Sequence, residues 1–305
     1  NGVVLKLNFP IQNIQTIDGG IRQLSGSGGA LTAGYVINAA GLYSDEIDRL
    51  FGYQRFTVTP RRGELIVFDK LSRRLVNHVL LPIPTGKTKG VLVSPTVYGN
   101  IMLGPTAEDL PDKNEKGTSN EGLEFLRKKG EAVITSLMKE EVTAMYAGLR
   151  AATEHSDYQI FPDAEKRYVC VGGIRSTGVS ASMGIAEYVV ELLQQMGVVL
   201  QPKPEFKPVR LPPIGEAQVR PFQSETAIAA NPDYGKIVCH CERVSQGEIE
   251  DALNASIPAV TLDGLRRRTR CLQGRCQGFH CHADVSRLLA QKLGKKPSQV
   301  IGGEE

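Results

Sequence analysis

The 305-residue chain has no tryptophan, no cysteine in its first half and no run of eighteen apolar residues. The last absence excludes a membrane-crossing helix and leaves only peripheral membrane association open. The formal net charge is +3, which excludes a polycation built to coat nucleic acid. The chain opens Asn1-Gly2-Val3-Val4-Leu5-Lys6, without an initiator Met or a basic-then-apolar leader. That start reads as processed or as preceded by further sequence, and no signal peptide is expected. A strand–GxGxxG–helix fingerprint is also absent. Gly26-Ser27-Gly28-Gly29-Ala30-Leu31 fails at its sixth position, and Gly173 to Gly178 lacks the Lys-Ser/Thr of a phosphate loop. What remains is 41% hydrophobic and 23% charged, a globular composition long enough for two domains.

Along the chain, Val3–Leu7, Ile21–Leu24, Tyr35–Asn38, Glu64–Phe68, Val91–Ser94, Ile101–Leu103 and Tyr168–Val171 read as strands. Tyr98-Gly99-Asn100 joins two of them as a hairpin. Ser44 is placed to cap a helix with Ile47, Leu50 and Phe51 as its apolar side, and a polar helix is expected over Asn120–Met138. After Gly172-Gly173-Ile174-Arg175-Ser176-Thr177-Gly178 comes a helix with Ile185, Val189, Leu192 and Met196 on one stripe, ended by Gly197. Residues 201–233 are rich in proline and read as an extended surface linker. Residues 234–301 read as a compact helical tail. There Ser245 and Glu248 form a capping box, Thr261 caps a second helix, and a third helix spans Ala283–Leu293.

Five of the six cysteines fall in that tail. Clustering in a long chain points to a metal site in a reducing compartment, hence the cytoplasm, rather than to secreted disulfides. Cys239-His240-Cys241 is followed after thirty-four residues by Cys276 and then Cys281. Four thiolates can close one tetrahedral zinc site or one [2Fe–2S] cluster. Cys-x-Cys is uncommon in zinc knuckles, while Cys271, His240, His280 and His282 are spare ligands that keep zinc open.

The run Ile237-Val238-Cys239-His240-Cys241-Glu242, with Ser245-Gln246-Gly247-Glu248-Ile249, Thr261 to Arg270 and Gly274-Arg275-Cys276-Gln277-Gly278, resembles the bacterioferritin-associated-ferredoxin type of [2Fe–2S]-binding domain. That resemblance ranks iron–sulfur above zinc. It implies Cys239, Cys241, Cys276 and Cys281 as ligands, without Cys271. Phe279-His280 departs from the family's usual Gly-Phe.

The body, residues 1–200, resembles the D-amino-acid-oxidase-like FAD superfamily, in its anaerobic glycerol-3-phosphate dehydrogenase or 2-hydroxyglutarate oxidase variety. The segments that carry this are Val36 to Asp45, Pro60-Arg61-Arg62-Gly63-Glu64, Val93 to Thr96, Leu103 to Ala107 and Val171 to Gly178. The resemblance implies an α/β fold with an antiparallel substrate sheet, followed by an all-α iron–sulfur tail. It implies FAD contacts at Ala39, Ala40, Gly41, Gly173, Ile174, Arg175, Ser176, Thr177 and Gly178. Arg150 would hold an anionic substrate head, either phosphate or carboxylate. The nucleotide-gripping portion would lie upstream.

The expected activity is FAD-dependent oxidation of glycerol 3-phosphate or a 2-hydroxy acid, with electrons leaving through the cluster to an acceptor protein or partner subunit. The alternative is a zinc- or cluster-binding interaction module with a vestigial flavin body. Arg175 also suits a structural salt bridge. His155 and His78 read as candidate bases or plain polar residues, and Lys87 and Lys89 as an exposed loop. From Lys236 to Lys296 the tail has eleven Lys/Arg against six Asp/Glu. That excess suits an anionic cluster or an acidic electron acceptor better than nucleic acid.

Overall fold

The structure is a computed structural model and describes residues 2–83, 90–206, 208, 214–216 and 218–301. Lys87, Lys89, Pro212 and Pro213 lie outside the described residues. The chain divides into two compact units. The first comprises Asn1–Gly63, Ala107–Gly117 and Ala147–Pro208, and the second comprises Glu64–Thr106, Thr118–Tyr146 and Val209–Glu305.

The strand expected over Val3–Leu7 does not form. All five residues are exposed and nothing pairs with them among the described residues, so no ladder offsets the cost of ordering them. β1 (Asn13–Thr16), β2 (Arg22–Gly26) and β3 (Gly29–Ala33) make an antiparallel sheet in sequence order. β4 (Val36–Asn38) leads through a 3₁₀ turn at Gly41–Tyr43 into α1 (Ser44–Leu50). Ser44 is the first residue of α1 rather than its cap, because its Oγ donates back to the carbonyl of Gly41 at 2.8 Å. The buried side of α1 is Ser44, Asp45 and Asp48, while Leu50 is exposed. The acids stay buried because each is bonded. Asp45 accepts from the Val58 amide and Lys113, and Asp48 accepts from Arg55 and the Tyr168 hydroxyl.

β5 (Thr59–Phe68) follows. β6 (Leu92–Pro95) and β7 (Ile101–Gly104) form the expected hairpin, and β7 pairs with the second half of β5 at Ile66, Val67 and Phe68. β8 (Glu108–Asp109) pairs with the first half of β5, setting Arg61 opposite Asp109 and Arg62 opposite Glu108. α2 (Asn120–Val133) is capped by Ser119, which accepts from the Gly122 amide. It ends at Val133 rather than Met138, where a 3₁₀ turn over Thr135–Lys139 takes over. β9 (Val142–Ala152) pairs with β5. Ile66, Phe68, Val93, Ile101, Leu103 and Leu126 form the core of this part of the second unit.

β10 (Gln159–Asp163) and β11 (Tyr168–Gly172) join β4 in a three-stranded sheet, with β11 parallel to β4. α3 (Gly178–Gln195) packs Val189 and Leu192 on Val169 and Val171. The alternate residues, Tyr168 and Cys170, face Phe51, Phe56 and Val58 on the other side.

The proline-rich segment is not simply extended. It holds a 3₁₀ turn at Pro221–Gln223 and α4 (Glu225–Ala230), and it buries Arg220. Beyond it, β12 (Ile237–Cys239) and β13 (Val244–Ser245) form a short antiparallel ladder, so the tail is not purely helical. α5 (Gln246–Asn254) carries the expected capping box, with the Ser245 amide donating to Glu248 Oε2 at 2.9 Å. α6 (Leu262–Thr269), capped by Thr261, precedes α7 (His282–Leu293) and α8 (Pro297–Ile301). Val244, Ile249, Leu265, Val285 and Leu289 pack with Cys239, Cys271 and Cys281 into the core of the tail.

Candidate functional site

Parallel pairing of β4 with β11 brings the two glycine-containing loops that follow them side by side. Cys170 lies opposite Asn38, so the chain leaves β4 at Ala39 and β11 at Gly173 at the same end of the sheet. Ala39, Gly41, Gly173, Ile174, Arg175 and Gly178 line one cavity of about 670 Å³ in the first unit. Its remaining wall is mostly apolar, from residues such as Ile37, Leu149, Ile185 and Val189. Ala40, Ser176 and Thr177 belong to the same loops but not to the lining. Gly173 has φ +64°, and a Cβ there would stand 3.3–3.4 Å from the Thr153 side chain.

Among the described residues, two buried side-chain polar atoms lack partners, Thr153 Oγ1 and Arg175 Nε. The Thr153 side chain stands against Gly173, and Arg175 lies two residues further along, so unsatisfied hydrogen-bonding capacity sits beside a largely apolar cavity whose lining includes Arg175 but not Thr153. Such a pairing of apolar walls with a polar end fits a flavin ring and its pyrimidine edge. The Arg175 guanidinium also bonds the His155 backbone carbonyl rather than a carboxylate. Thr153 is not legible as a site residue along the chain, since only the tertiary structure orphans its hydroxyl.

Arg150 lies on β9 between Leu149 and Ala151, which line the cavity, and is itself outside the lining. It groups instead with Arg61 and Asp109. Burial, and then the like charge of Arg61, hold the Arg150 pKa below the usual arginine value, while Asp109 works the other way. Arg61 grips Asp109 through Nε at 2.5 Å and Nη2 at 2.9 Å. That bond, followed by burial in the opposite sense and the charges of Arg61 and Arg150, leaves the Asp109 carboxyl below its usual range. His155 is exposed, with Nε2 against the Arg55 carbonyl at 3.1 Å, and His78 is exposed.

Four of the five tail cysteines stand as two hydrogen-bonded pairs, each joining the two sequence motifs: Cys239 with Cys281, and Cys241 with Cys276. Within each pair one thiol is pushed above its ordinary value and the other is held below it. The bond to Cys281 and then burial push Cys239 up, whereas the bond from Cys239 brings Cys281 down. Burial raises Cys241, and the His280 amide lowers Cys276. Amides of Glu242 and Leu272 reach Cys239, Leu272 also reaches Cys281, and Gly278 reaches Cys276. Cys281 is moreover the N-cap of α7, where the helix dipole favours a thiolate. Gly274 lets the second loop close on the first, since a Cβ there would lie 2.3 Å from Cys241 Cβ.

Among the described residues, no three His, Cys, Asp or Glu side chains are grouped so as to hold one metal ion. Four thiols with backbone amides aimed at their sulfurs are a donor set that would hold a [2Fe–2S] cluster. Cys271 is fully buried beside them and accepts from Thr269 Oγ1 at 2.9 Å, while His240 and His280 are exposed.

These features define a flavin-type oxidoreductase body joined to a cluster-binding tail. The FAD dependent oxidoreductase family matches residues 1–192 and the BFD-like [2Fe-2S] binding domain matches residues 237–291. The chain belongs to the FAD dependent oxidoreductase family and carries a BFD-like [2Fe-2S] binding domain behind it. Glycerol 3-phosphate dehydrogenase of Caloramator mitchellensis is 34% identical over 98% of this chain and 62% of its own length. An anaerobic glycerol-3-phosphate dehydrogenase subunit of Escherichia coli (strain K12) is 23% identical over 87% of this chain and 54% of its own. Among solved structures, FAD-bound L-alpha-glycerophosphate oxidase from Mycoplasma pneumoniae aligns with TM-score 0.59 and 28% identity, over 65% of this chain and 52% of that one. The chain thus spans somewhat over half the length of these two curated relatives.

Proposed function

We propose that the protein serves FAD-dependent oxidation of glycerol 3-phosphate or a related 2-hydroxy acid, with electrons leaving through a [2Fe–2S] cluster. The observation that carries this reading is the largely apolar cavity lined at one side by Gly173, Ile174 and Arg175, on a chain that also holds two thiol pairs. FAD, when bound, supplies the two-electron acceptor for the carbon–hydrogen bond, and the cluster supplies one-electron exits.

The chain's own residues do the positioning. Gly173, Ile174 and Arg175 line the cavity together with Gly178, the first residue of α3, and a helix start there favours negative charge. Arg150, half buried and always charged, takes the anionic head of the substrate. The apolar walls exclude water. Cys239, Cys241, Cys276 and Cys281 hold the cluster, and Gly274 and Gly278 let backbone approach it.

The electron acceptor is a protein or partner subunit, in keeping with the name of the E. coli relative. The six free thiols suit the reducing cytoplasm. No helix among the described residues is long and apolar enough to cross a membrane. Metal and sulfide analysis of anaerobically purified protein tests the reading. Iron with equimolar acid-labile sulfide is expected. Zinc without sulfide would move the protein to the alternative, a structural zinc module.

A further inference from the structure

The loops that carry the cysteines are bolted to the β6–β7 hairpin and to β9 within the second unit. Arg270 ends α6 in the left-handed region, at φ +69°. Its guanidinium lies 4.1 Å over the Tyr98 ring, donates to Asn100 Oδ1 at 3.1 Å and bonds Glu242 Oε2 at 3.0 Å. Asn100 is itself fixed, donating to the Phe68 carbonyl at 2.9 Å. Lys70 reaches the same Glu242 oxygen at 3.1 Å and Glu216 at 2.8 Å. On the other loop, Gln277 Nε2 donates to the Thr143 carbonyl at 2.8 Å and Arg275 pairs with Glu141.

Glu242 and Arg270 flank the cysteines directly. Glu242 follows Cys241, and its own amide bonds Cys239. Arg270 stands two residues before Leu272, whose amide bonds both Cys239 and Cys281. Glu242 is only 3% exposed, so its carboxylate is held in a single environment. A position fixed in this way at Tyr98 and Asn100 is therefore transmitted through two side chains to the two amides aimed at the sulfurs.

We propose that Tyr98 and Asn100 of the oxidoreductase body, acting through Arg270 and Glu242, are positioning residues that aim the Glu242 and Leu272 amides at the cluster sulfurs and so set the cluster's reduction potential and lifetime. The inference rests on the [2Fe–2S] reading of the tail. Hydrogen bonds to sulfur favour the reduced, more negative cluster, so slackening the latch should move the potential downward.

The test uses the whole chain, purified anaerobically, with Tyr98→Ala, Asn100→Ala and Tyr98→Phe compared with wild type. Arg74→Ala, which opens an exposed ion pair to Glu140 in the same unit, serves as control. The first two variants should keep wild-type iron and sulfide contents, titrate at a more negative potential by electron paramagnetic resonance, and lose the cluster to a chelator ~10-fold faster. Tyr98→Phe retains the ring under Arg270 and should restore both values, and Arg74→Ala should change neither. In cluster-free protein, hydrogen exchange at the Glu242 and Leu272 amides should be several-fold faster in Tyr98→Ala. A loaded cluster with unchanged potential in both alanine variants overturns the latch while leaving the cluster reading intact. Zinc without sulfide in the wild type overturns both.

Discussion

Arg220 and Glu248 form a buried ion pair, with Arg220 Nη2 2.7 Å and Nε 3.1 Å from Glu248 Oε1. The two side chains are 5% and 4% exposed. Arg220 also donates to the Glu242 carbonyl at 2.8 Å, beside Cys241. Glu248 at the same time closes the capping box of α5 through its other oxygen. One guanidinium from the proline-rich segment thus pins the first cysteine loop and the first helix of the tail.

Removing Arg220 alone leaves the Glu248 carboxylate buried without its counter-charge. Arg220→Ala should cost the tail about 3–5 kcal/mol, read by hydrogen exchange along α5 or by urea unfolding. Arg220→Ala combined with Glu248→Gln should recover much of that, because the stranded charge is gone. Equal protection in the single variant and the wild type would show that the pair holds nothing in place.

What could be read along the chain was local. The Ser245–Glu248 capping box, the β6–β7 hairpin, the Gly197 helix stop and the clustered cysteines each show in a few consecutive residues. What could not be read depends on partners far away in sequence. The buried side of α1 is polar because Lys113, Arg55 and Tyr168 meet it, and no periodicity announces that. The proline content around Arg220 argued for an extended segment, but a buried carboxylate draws that arginine inward. Arg61 opposite Asp109 is a fact of strand register, and the orphaned Thr153 hydroxyl a fact of packing. Val3–Leu7 has strand-forming residues but no partner strand among the described residues.

Cys170 ties stability to alkaline pH. Burial first, and then the nearby Asp48 charge, push its thiol up to about 12 from a usual value of 9.0, against a lowering bond from Tyr168. The native state therefore keeps a proton that the unfolded chain releases. The resulting stability is full below about pH 9 and is lost as pH rises toward about 12, at ~1.4 kcal/mol per pH unit. Urea midpoints measured across that range should fall, and Cys170→Ala should remove one proton from the slope. A slope unchanged by the substitution would mean that other groups carry it.

Arg150 is expected to carry the substrate anion although it lies outside the cavity lining. In protein assayed with flavin bound, Arg150→Ala should raise KM for glycerol 3-phosphate strongly, about 2–4 kcal/mol in kcat/KM. Arg150→Lys should recover only part, since a lysine lacks the planar fork. Arg61→Ala frees Asp109 near the same site and should also weaken anion binding, with little effect on folding because that pair is exposed. Wild-type kcat/KM in Arg150→Ala would take this residue out of the site.

The cysteine set makes the most discriminating prediction. Cys239 with Cys281, and Cys241 with Cys276, stand ready as two pairs, so single Ser substitutions at any of the four should empty the cluster or change its visible spectrum. Cys271 differs in kind. It is fully buried, is held by Thr269 and belongs to the apolar core of the tail, so its thiol is occupied in packing. Cys271→Ser should load iron and sulfide like wild type and lose only some stability, about 1–3 kcal/mol for an added polar group in that core. Because the metal stabilises so small a tail, the four emptying variants should also loosen it, which hydrogen exchange in α7 would report. Iron, sulfide and spectrum measured on all five variants decide the assignment. An empty site in Cys271→Ser beside a full one in Cys276→Ser would reverse it, and would make Cys271 the fourth ligand.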